Sequence, residues 1–160
     1  SYSHKRQGDL TQKKAFLELK RCKEALERIL GSEINGNRFP YTNYTEQSFK
    51  DLKDLGYKWD SSVWEGKDLL YQSYLHGLTE YPLGSSTTDW DYFIKENKTD
   101  ADGFFSILEK DISQLSKEQV YVVVLHPWVL SLDESRIDDL ERFISRHKNI
   151  KSIDEIYQKA

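Results

Sequence analysis

Four positions along this chain carry side chains that could do hydrolytic chemistry together: His4, Arg38, Asp60 and His126. His126 directly follows the apolar run Val120 to Leu125 and precedes Pro127, which cannot continue strand pairing. An imidazole at such a point is partly desolvated and suits a general acid or base near neutral pH; the same position also suits a packing histidine. Asp60 closes a short apolar segment, where its carboxylate could hold an imidazole in one tautomer or cap the turn at Ser61-Ser62. Arg38 can grip a carboxylate through two parallel N–H bonds. The Pro40-Tyr41 pair fixes a tight backbone, and a fixed N–H is the kind of donor that stabilises a developing oxyanion. His4 has no partner at metal-ligand spacing downstream and reads equally as a terminal histidine.

The elements that must position these groups follow from periodicity. Asp9 or Thr11 caps a helix to about Leu30, with Phe16, Leu19, Cys22, Leu26 and Ile29 predicted inward and Gly31 as the stop. Thr45 caps a short helix with Phe49, Leu52 and Leu55 inward, closed by Gly56. Tyr57 to Asp60 and Leu78 to Leu83 read as strands. The polar stretch between Gly84 and Asp102 predicts a long loop. Asp102 starts a helix with Phe105, Leu108, Ile112 and Leu115 inward. Val120 to Leu125 is the clearest strand, β-branched and suited to a sheet covered on both faces. Asp133 caps a helix with Ile137, Leu140 and Ile144 inward, and a capping box at Ser152 opens a last short helix. Strands alternating with helices predict an α/β fold, whose functional residues collect at strand C-terminal ends. Arg38, Asp60 and His126 all fall at such ends.

Composition bounds the rest. The 160 residues suffice for one domain with a core, residues 1–160, and 38% hydrophobic against 31% charged residues excludes a disordered chain. No apolar run reaches membrane-spanning length. A net charge of −4 with no basic stripe argues against a nucleic-acid partner. The single Cys22 rules out an intrachain disulfide and a cysteine zinc site. The 4 Trp and 10 Tyr fit stacking on sugar faces as well as a core role.

Four strings in order then give a resemblance: Ser1-Tyr2-Ser3-His4, Arg38-Phe39-Pro40-Tyr41, Asp60-Ser61-Ser62-Val63-Trp64 and Val124-Leu125-His126. Their order and spacing resemble the later motifs of the NodB-homology polysaccharide deacetylases (carbohydrate esterase family four). The resemblance implies the later part of a distorted (β/α) barrel whose N-terminal strands are missing. The family's Thr-Phe-Asp-Asp string and first motif-two His have no counterpart here. The chain is therefore expected to start inside the His-Ser-x-x-His motif and to need a preceding segment for activity.

By that resemblance the function is metal-dependent hydrolysis of N-acetyl groups from an amino-sugar polymer, peptidoglycan or chitin-like. His4 would be a ligand to zinc or another divalent transition metal, with two further ligands upstream of residue 1. Arg38 would orient the missing base, the Tyr41 N–H would share the oxyanion, and His126 would protonate the departing amine with Asp60 holding it. Trp64 and Val124 would line the acetyl pocket, and Trp90 would flank the groove, although Asp89-Trp90 competes with Asp60 and Trp64 for the fourth motif. The implied partner is a carbohydrate polymer or oligosaccharide, and the implied location is secreted or cell envelope. A C–N hydrolase of the same fold acting on a small amide, and a non-catalytic carbohydrate-binding relative, are the alternatives.

Overall fold

The structure, a computed structural model, describes residues 1–64, 73–116 and 119–158. These divide into two compact units: residues 1–64, 73–82 and 153–158 form the first, and residues 83–116 and 119–152 the second.

The first unit opens with helix α1, Gln12–Leu30, capped at Thr11 and stopped by Gly31 in the left-handed conformation (φ 67°). Its packed stripe is Ala15, Leu19, Lys23 and Glu27; of the predicted inward set Leu19 is buried and Phe16 and Cys22 are half-buried. Leu26 and Ile29 stand exposed. The reason is polar: the Lys23 ammonium donates to the Ile34 carbonyl at 2.6 Å, pairs with Glu27 and lies 5.0 Å from the centre of the Tyr57 ring. A lysine stem can cover apolar surface while its head finds partners, so this face docks and the leucine face turns out.

Strand β1, Gly36–Asn37, leads through helix α2, Glu46–Asp54, to strand β2, Trp59–Asp60, which pairs parallel with β1. Thr45 and Ser48 cap α2 reciprocally, and Phe49 and Leu52 join Leu19, Phe39, Tyr57, Val63 and Leu78 in one core. Strand β3, Ser73–Leu75, turns at His76-Gly77 into β4, Leu78–Glu80, which pairs antiparallel with β3 and parallel with β2. The sheet order among the described residues is β1-β2-β4-β3. A small, largely parallel sheet is thus present, its β2 and β4 shorter than the predicted Tyr57 to Asp60 and Leu78 to Leu83. Gly36 is required by close approach, because a Cβ there would run into the Trp59 indole. That indole donates to Asp154 at 2.7 Å, next to the last helix, α6, Ile153–Tyr157.

The second unit is mostly helical. Helix α3, Ala101–Ser113, packs on α5, Glu134–Arg146, through Phe104, Phe105, Leu108 and Phe143. The stretch predicted as a long loop contains a π-helical turn, Trp90–Lys95, whose Tyr92 and Phe93 plug into the same core. Val120 to Leu125, predicted as the clearest strand, forms one parallel bridge among the described residues, Val122 to Leu83. The Gly84 N–H bonds the Val122 carbonyl at 3.3 Å, and Asp111 accepts both the Ser86 N–H at 2.9 Å and the Tyr121 hydroxyl at 2.8 Å. On α5 the inward positions are Arg136, Asp139 and Phe143, while Ile137 and Ile144 face out. Arg136 lies 4.1 Å over the Phe93 ring and donates to the Val129 carbonyl at 2.8 Å, so a cation occupies the place the pattern gave to isoleucine.

Candidate functional site

In the first unit, the chain segments leaving β1 and β2 side by side bring the Arg38 string against Ser61-Ser62-Val63. Arg38 Nε donates to the Ser61 carbonyl at 2.7 Å and Nη2 to the Ser61 hydroxyl at 2.8 Å. The Ser61 hydroxyl in turn donates to the Tyr81 carbonyl at 2.7 Å. Phe39 N–H donates to the Ser62 hydroxyl at 2.8 Å, deep in the core. Arg38 is exposed as a residue, yet its head group is crowded enough that burial lowers its pKa against the opposing charges of Asp60 and Glu80. It remains a cation throughout the ordinary pH range.

Asp60 is completely buried and accepts from Asn37 Nδ2 at 2.8 Å. Its register partner on β4 is Glu80, also buried, which accepts the Ser62 and Val63 N–H groups at 3.0 Å each. Burial, and then the Glu80 charge, push the Asp60 carboxyl well above the ordinary carboxylate range. Burial also raises Glu80, opposed by the Val63 and Ser62 backbone donors, the neighbouring Asp60 carboxyl and Arg38. Glu80 was missed in the sequence, although a carboxylate inside the apolar run Leu78 to Leu83 is the signal that marks it.

Beyond Arg38 the chain makes a tight turn at Pro40–Thr42 in which Tyr41 and Thr42 both take positive φ, 58° and 49°. For a β-branched residue this is strained backbone of the kind found where function constrains a turn. The exposed Tyr41 ring meets the His4 imidazole edge-on at 5.2 Å. Ser3 ties that terminus to α1 through two 2.7 Å bonds to Glu18. His4 and Tyr41 are therefore neighbours, and Trp64 is exposed at the end of the Ser61–Val63 segment. Among the described residues no three His, Cys, Asp or Glu side chains cluster as a metal site. His4 offers one imidazole where a catalytic zinc takes three protein ligands, so the donors present do not fit the ion by themselves.

In the second unit the imidazole has its carboxylate. Asp89 is fully buried, and its Oδ1 accepts His126 Nδ1–H at 2.7 Å while Oδ2 accepts the His126 backbone N–H at 2.6 Å. Trp90 N–H also bonds Oδ1 at 2.9 Å. With Nδ1 committed as donor, the tautomer follows from the network and Nε2 is the nitrogen open to a reacting group. Apolar anchors fix both partners: Tyr92 and Phe93 behind Asp89, and Val129 and Leu130 behind His126. His126 is the N-cap of the short helix α4, Pro127–Leu130, its carbonyl accepting the Val129 N–H at 2.8 Å.

The carboxylate bonded to His126 is thus Asp89, the residue beside Trp90, while the bonds of Asp60 run to Asn37 and the Ser61–Val63 side of the sheet. Trp90 is exposed and Val124 half-buried. Sequence reasoning passed over Trp128, which is 53% exposed with its ring 6.3 Å from the imidazole; its place two residues after His126 was the available signal.

A sequence model of the polysaccharide deacetylase family matches residues 1–59. One similar solved structure is a Mycobacterium smegmatis protein provisionally named a polysaccharide deacetylase, with TM-score 0.73 and 21% identity over 89% of this chain and 53% of that one. The fold resembles that of a polysaccharide deacetylase. At that identity the likeness concerns the fold, and this chain spans about half the length of the M. smegmatis protein. None of the curated proteins matches the chain.

Proposed function

We propose that this chain carries the acid-donating and positioning part of a hydrolase that removes acetyl groups from an N-acetylated amino-sugar polymer. The Asp89–His126 pair is the observation that carries the reading. Water attacks the acetyl carbonyl, the C–N bond breaks, acetate leaves and the sugar nitrogen takes a proton. His126 Nε2 supplies that proton, and Asp89 holds the imidazole by Nδ1 so that Nε2 points outward. This gives Asp89 the role first assigned to Asp60.

Exposed Trp128 and Trp90, on either side of the pair in sequence, offer flat amphipathic faces to sugar rings. Arg38 holds Ser61 through two hydrogen bonds beside the strained Pro40–Thr42 turn, whose Tyr41 N–H is the proposed oxyanion donor. A divalent metal, zinc by resemblance, belongs to the proposal only if donors from outside this chain join His4, and no step above depends on it. A polymer substrate would place the protein outside the cell or in its envelope.

The test is acetate release from chitin oligomers and peptidoglycan fragments by the protein that carries this chain, with divalent metal supplied. His126→Ala is expected to lower kcat by about 10²- to 10⁴-fold, and oligomers should outperform N-acetylglucosamine itself. Equal turnover by the variant would remove His126 from the reaction. A preference for small amides over oligomers would move the substrate to the small-molecule class.

A further inference from the structure

Asp60 and Glu80 face each other in register across β2 and β4, 0% and 1% exposed. Asn37 Nδ2 donates to Asp60 Oδ1, and the Ser62 and Val63 N–H groups donate to Glu80 Oε1; the Ser62 hydroxyl also acts on Asp60, favouring its charged form less than burial and Glu80 oppose it. Asp60 Oδ2 and Glu80 Oε2 are both buried without a hydrogen-bond partner, and strand register sets the two residues side by side on neighbouring parallel strands. Two ionised carboxylates at such a distance in a dry core would repel strongly, and two orphaned acceptors would keep their full desolvation penalty. One proton between them removes a charge and supplies the missing donor.

We propose that Asp60 and Glu80 share a single proton through Oδ2 and Oε2, Asp60 being the carboxylic acid at neutral pH, and that this pair positions the Arg38 segment. The route is direct. Glu80 holds the Ser62 and Val63 N–H groups, the Ser62 hydroxyl holds Phe39 N–H, and Ser61 holds Arg38 through its carbonyl and hydroxyl. Asp60 and Glu80 are positioning residues in this scheme. The segment after β1 turns the Arg38 guanidinium toward the pair, while β1 and the Ser61–Val63 segment contribute neutral groups, Asn37, Ser61 and Ser62. Arg38 favours a net charge of −1 on the pair, which one proton delivers. A divalent ion is a poorer fit, since two carboxyls fall short of its usual oxygen shell and Arg38 repels it. The inference is independent of the deacetylase reading, because neither carboxyl needs substrate.

Carboxyl carbon NMR of the intact protein, followed against pH, reads the protonation state directly. At pH 7 Asp60 is expected to give a carboxylic-acid signal. The folded state then keeps a proton that the unfolded chain releases above the ordinary aspartate value of 3.8. Stability is therefore fully present below that pH and falls as pH rises toward the pair's own titration, by up to about tenfold in the folded-to-unfolded ratio per pH unit. Asp60→Asn, which mimics the neutral acid, should fold at pH 7 and lose this dependence. Glu80→Gln, whose amide can donate to Asp60, should convert Asp60 to a carboxylate at neutral pH. An ionised Asp60 in the wild type, or a wild-type pH slope retained in Asp60→Asn, would overturn the proposal. So would carboxyl signals that shift on adding divalent cation alone.

Discussion

Asp89 makes three hydrogen bonds with two oxygens, two of them to His126. An asparagine has one acceptor oxygen, so Asp89→Asn must leave either the imidazole or a backbone N–H unpaired. On the proposed reaction it should lower kcat by about 10²-fold or more with the helical circular dichroism unchanged. Trp128→Ala tests a different quantity. Its indole touches no core cluster, so stability should hold while KM for oligomers rises and kcat changes little; a fall in kcat alone would mean that Trp128 serves the imidazole and not the sugar. The buried Arg136 predicts the reverse pattern. Arg136→Ala leaves the Val129 carbonyl without its charged donor and empties the space over Phe93, costing about 1.5–3 kcal/mol in urea melts.

At the scale of elements, the helix starts were legible because capping is local. Thr45 and Asp133 cap through their side chains where predicted, Thr11 holds the N-cap position of α1 without a side-chain bond, and Thr45→Ala should cost about 1 kcal/mol in thermal or urea unfolding. The inward faces were less legible. Leu26 and Ile29 on α1, and Ile137 and Ile144 on α5, match a helical apolar pattern and nevertheless face out. Lys23 and Arg136 turn to the packed face, each bonded to a carbonyl just beyond its own helix and set over an aromatic ring, Tyr57 or Phe93, supplied by a distant chain segment. Gly36 shows the same dependence in a strand. Gly36→Ala should displace the Trp59 indole, break its bond to Asp154 and cost about 1–3 kcal/mol, with loss of Trp59 burial visible in fluorescence.

For the molecule as a whole, alkaline stability gives a readout shared by both units. Burial pushes Tyr92 up to about 12, helped by its bond to Asp100, and burial also raises Tyr57 and Tyr121. The unfolded chain gives up these phenolic protons near pH 10 while the fold keeps them, so stability should fall as pH rises above about 10, and Tyr92→Phe should lessen the fall in melts taken from pH 9 to 11. Composition, helix caps and the α/β alternation were readable from the residues because each depends on neighbours a few positions away. His126 and Arg38 also stand out locally, each just past a predicted strand end. The sequence did not decide which carboxylate meets which partner. Asp60 stands opposite Glu80 through strand register, and Asp89 reaches His126 across 37 positions of chain. Register and long-range hydrogen bonds are settled by packing, and no local spacing encodes them.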